Sequence, residues 1–155
     1  AAPRAGMSQD ELAACIAWVA HGFEIVHTHF ADWRFTAPDT VADFALHGRL
    51  LVGPRVPVVR FGRLGEELAA LTLSLERDGA EVERGRGANV LDGPLTALRL
   101  WIEAMAQHTP HWTVRPGDVV TTGTLTDAWP MALGQRWRSR LDHAALHGLT
   151  LRTVA

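Results

Sequence analysis

The chain has 155 residues, a formal charge of −2 and 47% apolar residues. That is enough for one domain with a real core, too few for two ordinary ones, and not the composition of a disordered chain. The charge leaves no electrostatic footprint for nucleic acid, and no apolar run approaches the roughly 18–20 residues of a membrane span.

Ser8-Gln9-Asp10-Glu11 has the form of a capping box, in which Ser8 takes the amide of Glu11 and Glu11 reaches back. Leu12, Ile16 and Val19 follow at helical spacing, so a helix is predicted over 8–21, ended by Gly22. Residues 23–30 alternate as a strand, with Ile25, His27 and His29 on one face and Glu24, Val26 and Thr28 on the other. Pro38 opens a second predicted helix over 38–47, with Val41, Phe44 and Ala45 as its apolar face and Gly48 just past its end. "RLLVG" and "VPVVRF" read as short strands broken at Gly53-Pro54. "LAALTLSLERDGAEVERG" reads as a hairpin. Leu71, Leu73 and Leu75 alternate with Thr72 and Ser74, and Asp78-Gly79 supplies the turn. A third helix over 94–107 carries the stripe Leu95, Leu98, Trp101, Ile102, Met105. Pro116-Gly117-Asp118 turns into a strand "VVTTG", and two more strands follow near 135–141 and 148–154. The sum is one mixed α+β domain over 1–155, without repeats or a linker.

Several residues stand out chemically. All fifteen basic residues are arginine and there is no tyrosine, so a lysine Schiff base or lysine general base cannot come from these residues. One cysteine, Cys15, excludes an internal disulfide. With no apolar h-region near residue 1, it points to a reducing cytoplasm. Glu24 lies in an apolar strand, where a carboxylate is costly to bury unless paired or bound to a cation, so its face is either solvated or functional. His27 and His29 share a face and could hold a metal or a substrate oxygen, or sit in solvent. Glu81-x-Glu83 flanks a turn and reads as a solvated edge. The glycines of "GRGANVLDGP" (85–94) read as close packing and a turn, not a nucleotide loop. Thr121-Thr122-Gly123-Thr124 could bind a carboxylate through hydroxyls and backbone amides, or form a bulge. Six tryptophans exceed what a small core hides. Trp33, Trp112, Trp129 and Trp137 fall beside polar segments, which predicts association with a second copy or a sister chain.

Three blocks in order, "FEIVHTHFADWRFTAPDTVADFALHGRLLVGP", "GRGANVLDGPLTALRLW" and "RPGDVVTTGTLT", resemble the 2-keto-4-pentenoate hydratase / 4-oxalocrotonate decarboxylase family of the fumarylacetoacetate hydrolase superfamily. The resemblance runs from about residue 8 to the C-terminus. It implies a mixed, strand-dominated β-roll with about three helices, and Mg²⁺ or Mn²⁺ held by carboxylates. It also implies a small 2-oxo or 2-hydroxydienoic acid substrate whose enolate the cation stabilises. Glu24 matches one of the family's three metal ligands, and Thr122, Gly123 and Thr124 match a segment lining its pocket. Asp43 is kept, whereas His27, His29 and Phe44 replace the usual Asp, Arg and Asn, which makes His27, His29 and Asp43 candidates for altered acid/base work. His27 and His29 would also suit a softer ion such as Zn²⁺.

The family's Glu-x-Glu and its lysine lie upstream of the first predicted helix. The 155 residues therefore match the C-terminal part of a family member, and a metal is expected to be weak or absent if nothing precedes them. The implied activity is hydration of a 2-hydroxy-2,4-dienoate in aromatic-compound catabolism. A decarboxylase or hydrolase on the same scaffold, and a non-catalytic partner subunit, are the alternatives.

Overall fold

A computed structural model describes residues 2–154. The first helix, α1 (Gln9–Ala13), starts at the predicted capping box: Ser8 N–H donates to Glu11 at 2.8 Å and Glu11 N–H to Ser8 Oγ at 3.2 Å. It is far shorter than the predicted 8–21. After Ala14 the bulky Trp18-Val19 pair is extended as β1 (Trp18–Val19), and Gly22 opens β2 (Gly22–Val26) rather than ending a helix. The Leu12/Ile16/Val19 spacing still brings three side chains to one cluster, Leu12 buried in it from a helix and Ile16 and Val19 partly buried against it from outside one. β-branched residues lose rotamer freedom in helices and fit strands better, and that preference prevails here.

α2 (Ala37–Ala42) begins at Thr36, whose N–H and hydroxyl both donate to Asp39 at 2.8 Å. It stops before the predicted end at 47. Phe44, Ala45 and Leu46 adopt left-handed φ values of 52°, 54° and 63°, which no α-helix of L-residues continues through. Its expected apolar face is not buried: Val41 is 80% and Phe44 83% exposed. Gly48, expected as a helix cap, lies inside β3 (His47–Val52), which pairs antiparallel with β2 and sets Glu24 opposite Leu50. β4 (Val56–Pro57) pairs only with β1, and Val58–Arg60 forms a single 3₁₀ turn where a longer strand was expected.

α3 (Leu64–Ala70) takes in the first three residues, 68–70, of the stretch expected as a hairpin. Leu64, Leu68 and Leu71 are buried at i, i+4, i+7, a helical spacing that the Leu71/Leu73/Leu75 alternation overlaps. The hairpin proper is β5 (Thr72–Arg77) and β6 (Ala80–Arg86), turning at Asp78 (φ 52°) and Gly79 (φ 89°), as a two-residue turn with both residues left-handed requires. α4 (Pro94–His108) matches its prediction closely. β7 (Arg136–Leu141) and β8 (Thr150–Arg152) complete a four-stranded antiparallel sheet in the order β6-β5-β7-β8. The predicted strand at 119–123 is absent. That segment runs as irregular backbone and pairs with no strand among the described residues.

The described residues thus form an α+β fold with four helices and three antiparallel sheets, of two, two and four strands. Leu12, Leu64, Leu68, Leu95 and Ile102 make a core between α1, α3 and α4. Leu73, Leu75 and Trp137 make a second core on the large sheet. Trp137, expected among exposed aromatics, is 3% exposed, because residue 137 falls on the inward face of β7 opposite Arg77. Trp33, Trp112 and Trp129 are substantially exposed, as expected. Among the described residues no helix is long and apolar enough to cross a membrane.

Candidate functional site

A cavity of about 1250 Å³ opens between the β2–β3 ribbon, the large sheet and the 114–131 segment. Most of its wall is apolar, from Phe23, Leu73, Leu75, Leu98 and Trp137 among others. Glu24, Thr122, Gly123 and Thr124 all line it, although about a hundred residues of chain separate them.

Glu24 is placed by the β2–β3 pairing, and its Oε1 accepts a hydrogen bond from His47 Nδ1 at 2.7 Å. The two side chains are 38% and 43% exposed, so the Glu24 carboxylate is half-solvated and paired rather than stranded. His47 was not singled out from sequence. Once Gly48 is read as a strand residue instead of a helix cap, the hairpin register puts His47 within reach of Glu24.

Thr122, Gly123 and Thr124 are shaped by glycine and by a distant tether. Gly123 has φ 123°, and a Cβ there would come within 2.9 Å of Val90 Cγ1. Thr124 donates its hydroxyl to the Thr126 carbonyl at 2.7 Å. Asn89 holds the Leu125 carbonyl at 3.0 Å. Glu83, expected to be a solvated edge residue, instead accepts the Asp127 N–H at 2.9 Å and the Trp129 indole N–H. Its carboxylate thereby anchors the far end of the cavity-lining segment. Gly87, in the glycine-rich stretch, packs its α-carbon face on the Leu68 carbonyl where a Cβ would not fit, in line with the close-packing reading.

His27, His29 and Asp43 form a separate group outside the cavity lining. The strand ends at Val26 with a register shift after Ile25, so Ile25, His27 and His29 do not share one strand face. Their rings meet edge-on, with centroids 4.7 Å apart. Asp43 is 8% exposed and accepts three donors: Thr28 Oγ1 at 2.9 Å, His29 N–H at 3.0 Å and His29 Nδ1 at 2.5 Å. An acceptor-only carboxylate requires the proton on Nδ1, which leaves His29 Nε2 free on an exposed ring. The His29 backbone amide, then its ring, then the Thr28 hydroxyl lower the Asp43 pKa to about 2. A carboxyl depressed below its unfolded value near 3.8 stabilises the fold above that pH and loses the contribution as pH falls toward 2. Asp43→Asn is therefore expected to flatten the acid limb of the stability curve between pH 4 and 2, read by urea midpoints at each pH.

A family-type divalent cation, such as Mg²⁺, needs near-octahedral oxygen ligation. Glu24 supplies one carboxylate, already engaged by His47. Among the described residues no group of three or more His, Cys, Asp or Glu could hold a metal ion. These side chains do not by themselves make the expected Mg²⁺ or Mn²⁺ centre. His27 and His29, with one exposed dyad and a ring set edge-on, do not complete it.

Residues 2–146 match the fumarylacetoacetate (FAA) hydrolase C-terminal family. The chain belongs to that family. It is 34% identical over 116 residues to a 2-keto-4-pentenoate hydratase of Burkholderia vietnamiensis, covering 74% of this chain and 42% of that one. It is 27% identical over 124 residues to a 4-oxalocrotonate decarboxylase of Pseudomonas putida, covering 80% and 45%. In structure it resembles the 4-oxalocrotonate decarboxylase from Pseudomonas putida G7 complexed with magnesium and adipate, with a TM-score of 0.84 and 25% identity. That likeness covers 99% of this chain and 56% of the other. The chain thus spans about half the length of the relatives it matches. Its relatives in this fumarylacetoacetate hydrolase family include both hydratases and decarboxylases.

Proposed function

We propose that this chain forms the substrate-cavity part of a hydratase that adds water to a 2-hydroxy-2,4-dienoate, with decarboxylation of a related 2-oxo acid as the second reading. The observation that carries it is that Glu24, Thr122, Gly123 and Thr124 line one largely apolar cavity. An extended dienoate has a hydrocarbon end and a carboxylate end, and the wall offers a counterpart for each. Phe23, Leu73, Leu75 and Trp137 take the hydrocarbon, worth about 0.8 kcal/mol per buried CH₂. The Thr122 hydroxyl and the backbone N–H groups of 122–124 receive the carboxylate, and Gly123, with no room for a Cβ against Val90, lets the backbone take that shape. Glu24 would contribute one carboxylate toward a divalent cation, which would stabilise the negative charge of the substrate enolate, and the described residues do not supply the rest of its oxygen ligands. His47 orients that carboxylate, and the His29–Asp43 pair braces the turn after β2.

The hydratase reading draws on the identity to the Burkholderia vietnamiensis hydratase, and the decarboxylase reading on the likeness to the magnesium- and adipate-bound neighbour. The exposed Trp33 and Phe44 near α2 offer a surface for self-association.

The test uses 2-oxopentanoate, a saturated analogue. Its binding is followed by tryptophan fluorescence, since Trp18, Trp129 and Trp137 line the cavity. Quenching that saturates with 2-oxopentanoate and weakens in Gly123→Val is expected. Equal response to 2-oxopentanoate and to 2-pentanone, which lacks the carboxylate, would refute a carboxylate subsite. Mn²⁺ added to the same chain is expected to bind more weakly than about 1 mM, since one carboxylate is far from a full shell.

A further inference from the structure

Ser139 lies inside β7 and is 1% exposed. Its hydroxyl oxygen accepts the Leu149 N–H at 2.9 Å and lies 2.8 Å from His21 Nε2. Among the described residues this hydroxyl has no other acceptor, so its proton either goes to Nε2 or is left unsatisfied in the interior. Leaving a buried donor unsatisfied is costly. The proton therefore runs from Ser139 to Nε2, and the imidazole carries its own proton on Nδ1. A His21 cation would strand the same hydroxyl proton, and burial independently holds the His21 pKa below its ordinary value.

His21 and Ser139 both line the cavity that Glu24 and Thr122 line. The His21 ring rests edge-on against Phe23, with centroids 5.9 Å apart, and its backbone carbonyl is held by the Gly53 N–H at 2.8 Å. Ring and backbone are thus fixed, while Nδ1–H has no protein partner among the described residues. We propose that His21 is a substrate-contacting residue of the cavity, whose Nδ1–H, set by Ser139, donates a hydrogen bond to an oxygen of the bound carboxylic acid. This rests on the reading of the cavity as a 2-oxo acid site. A neutral, preset donor on an apolar wall favours ligands with an oxygen at that place and disfavours hydrocarbon analogues, which would leave the donor unpaired.

The experiment is long-range ¹H–¹⁵N imidazole spectroscopy of the 155-residue chain, with and without 2-oxopentanoate. His21 is expected to show the Nδ1–H pattern in the free protein, and a mixed pattern in Ser139→Ala. The Nδ1 resonance of His21 is expected to move on titration with 2-oxopentanoate. His21→Phe keeps the ring contact with Phe23 and is expected to bind 2-oxopentanoate about tenfold more weakly. An Nε2–H pattern in the unaltered chain overturns the proposal without recourse to any variant. Undiminished binding by a folded His21→Phe overturns the contact alone. If the unaltered chain binds no 2-oxopentanoate, the contact and the 2-oxo acid reading fall together.

Discussion

Glu24→Gln is expected to lower turnover of a 2-hydroxy-2,4-dienoate by about a thousandfold in a protein that joins this chain to the N-terminal half of a 4-oxalocrotonate decarboxylase. The substitution keeps the shape of the side chain and its contact with His47 but removes the negative charge. Each ~1.36 kcal/mol of lost transition-state stabilisation is tenfold in rate, and a displaced cation removes several. His47→Ala leaves the charge in place and releases only its orientation, so a smaller loss, about tenfold to a hundredfold, is expected. Parallel measurement of Mn²⁺ affinity separates the two: it falls steeply for Glu24→Gln and modestly for His47→Ala. If Glu24→Gln retained full activity, Glu24 would be a solvated strand residue and no more.

Trp137→Ala is expected to cost about 3–5 kcal/mol of stability, a large part of what a domain of this size has. Trp137 is 3% exposed, packs with Leu73 and Leu75, lies under the Arg77 guanidinium, and donates its indole N–H to Gln135 at 3.2 Å. Its loss opens a void in the smaller of the two cores, on the wall of the cavity itself. Urea unfolding should show a lowered midpoint with an unchanged slope, and 2-oxopentanoate binding should fall with it. Trp112→Ala, at a site 42% exposed, should change the midpoint little.

These two residues also show what was legible in the sequence. Glu24 could be picked out because a carboxylate in an apolar strand is conspicuous, and the ordered blocks around it resemble one family. The Asp78-Gly79 turn and the α4 stripe were equally plain, since both are local: one needs two left-handed residues, the other a 3.6-residue period. Trp137 was misjudged because it lies between arginines, and only the register of β7 against β5 shows that its face points inward. α3 was hidden because Leu64, Leu68 and Leu71 join a leucine alternation that continues through Leu75. The predicted strand at 119–123 failed for lack of a partner, which no local pattern reports. The first helix was overextended because burial of Ile16 and Val19 on the core does not require helical backbone.

The site was legible only in part for the same reason. Thr122-Gly123-Thr124 and Glu24 were named, but the contacts that set them are long-range. Glu83 reaches 44 residues on to Asp127, and His21 reaches 118 residues to Ser139. His27 and His29 drew attention as a pair of imidazoles. Their place outside the cavity lining follows from the register shift at Ile25 and from the grip of Asp43 on His29.

The most direct measurement compares dienoate consumption, followed by ultraviolet absorbance, for the 155-residue chain alone and for the joined protein, each with and without Mn²⁺. No turnover above background is expected for the chain alone under either condition, because one carboxylate does not hold the cation. Mn²⁺-dependent turnover is expected for the joined protein. Robust metal-dependent turnover by the chain alone would contradict the reading of Glu24 as one ligand among several.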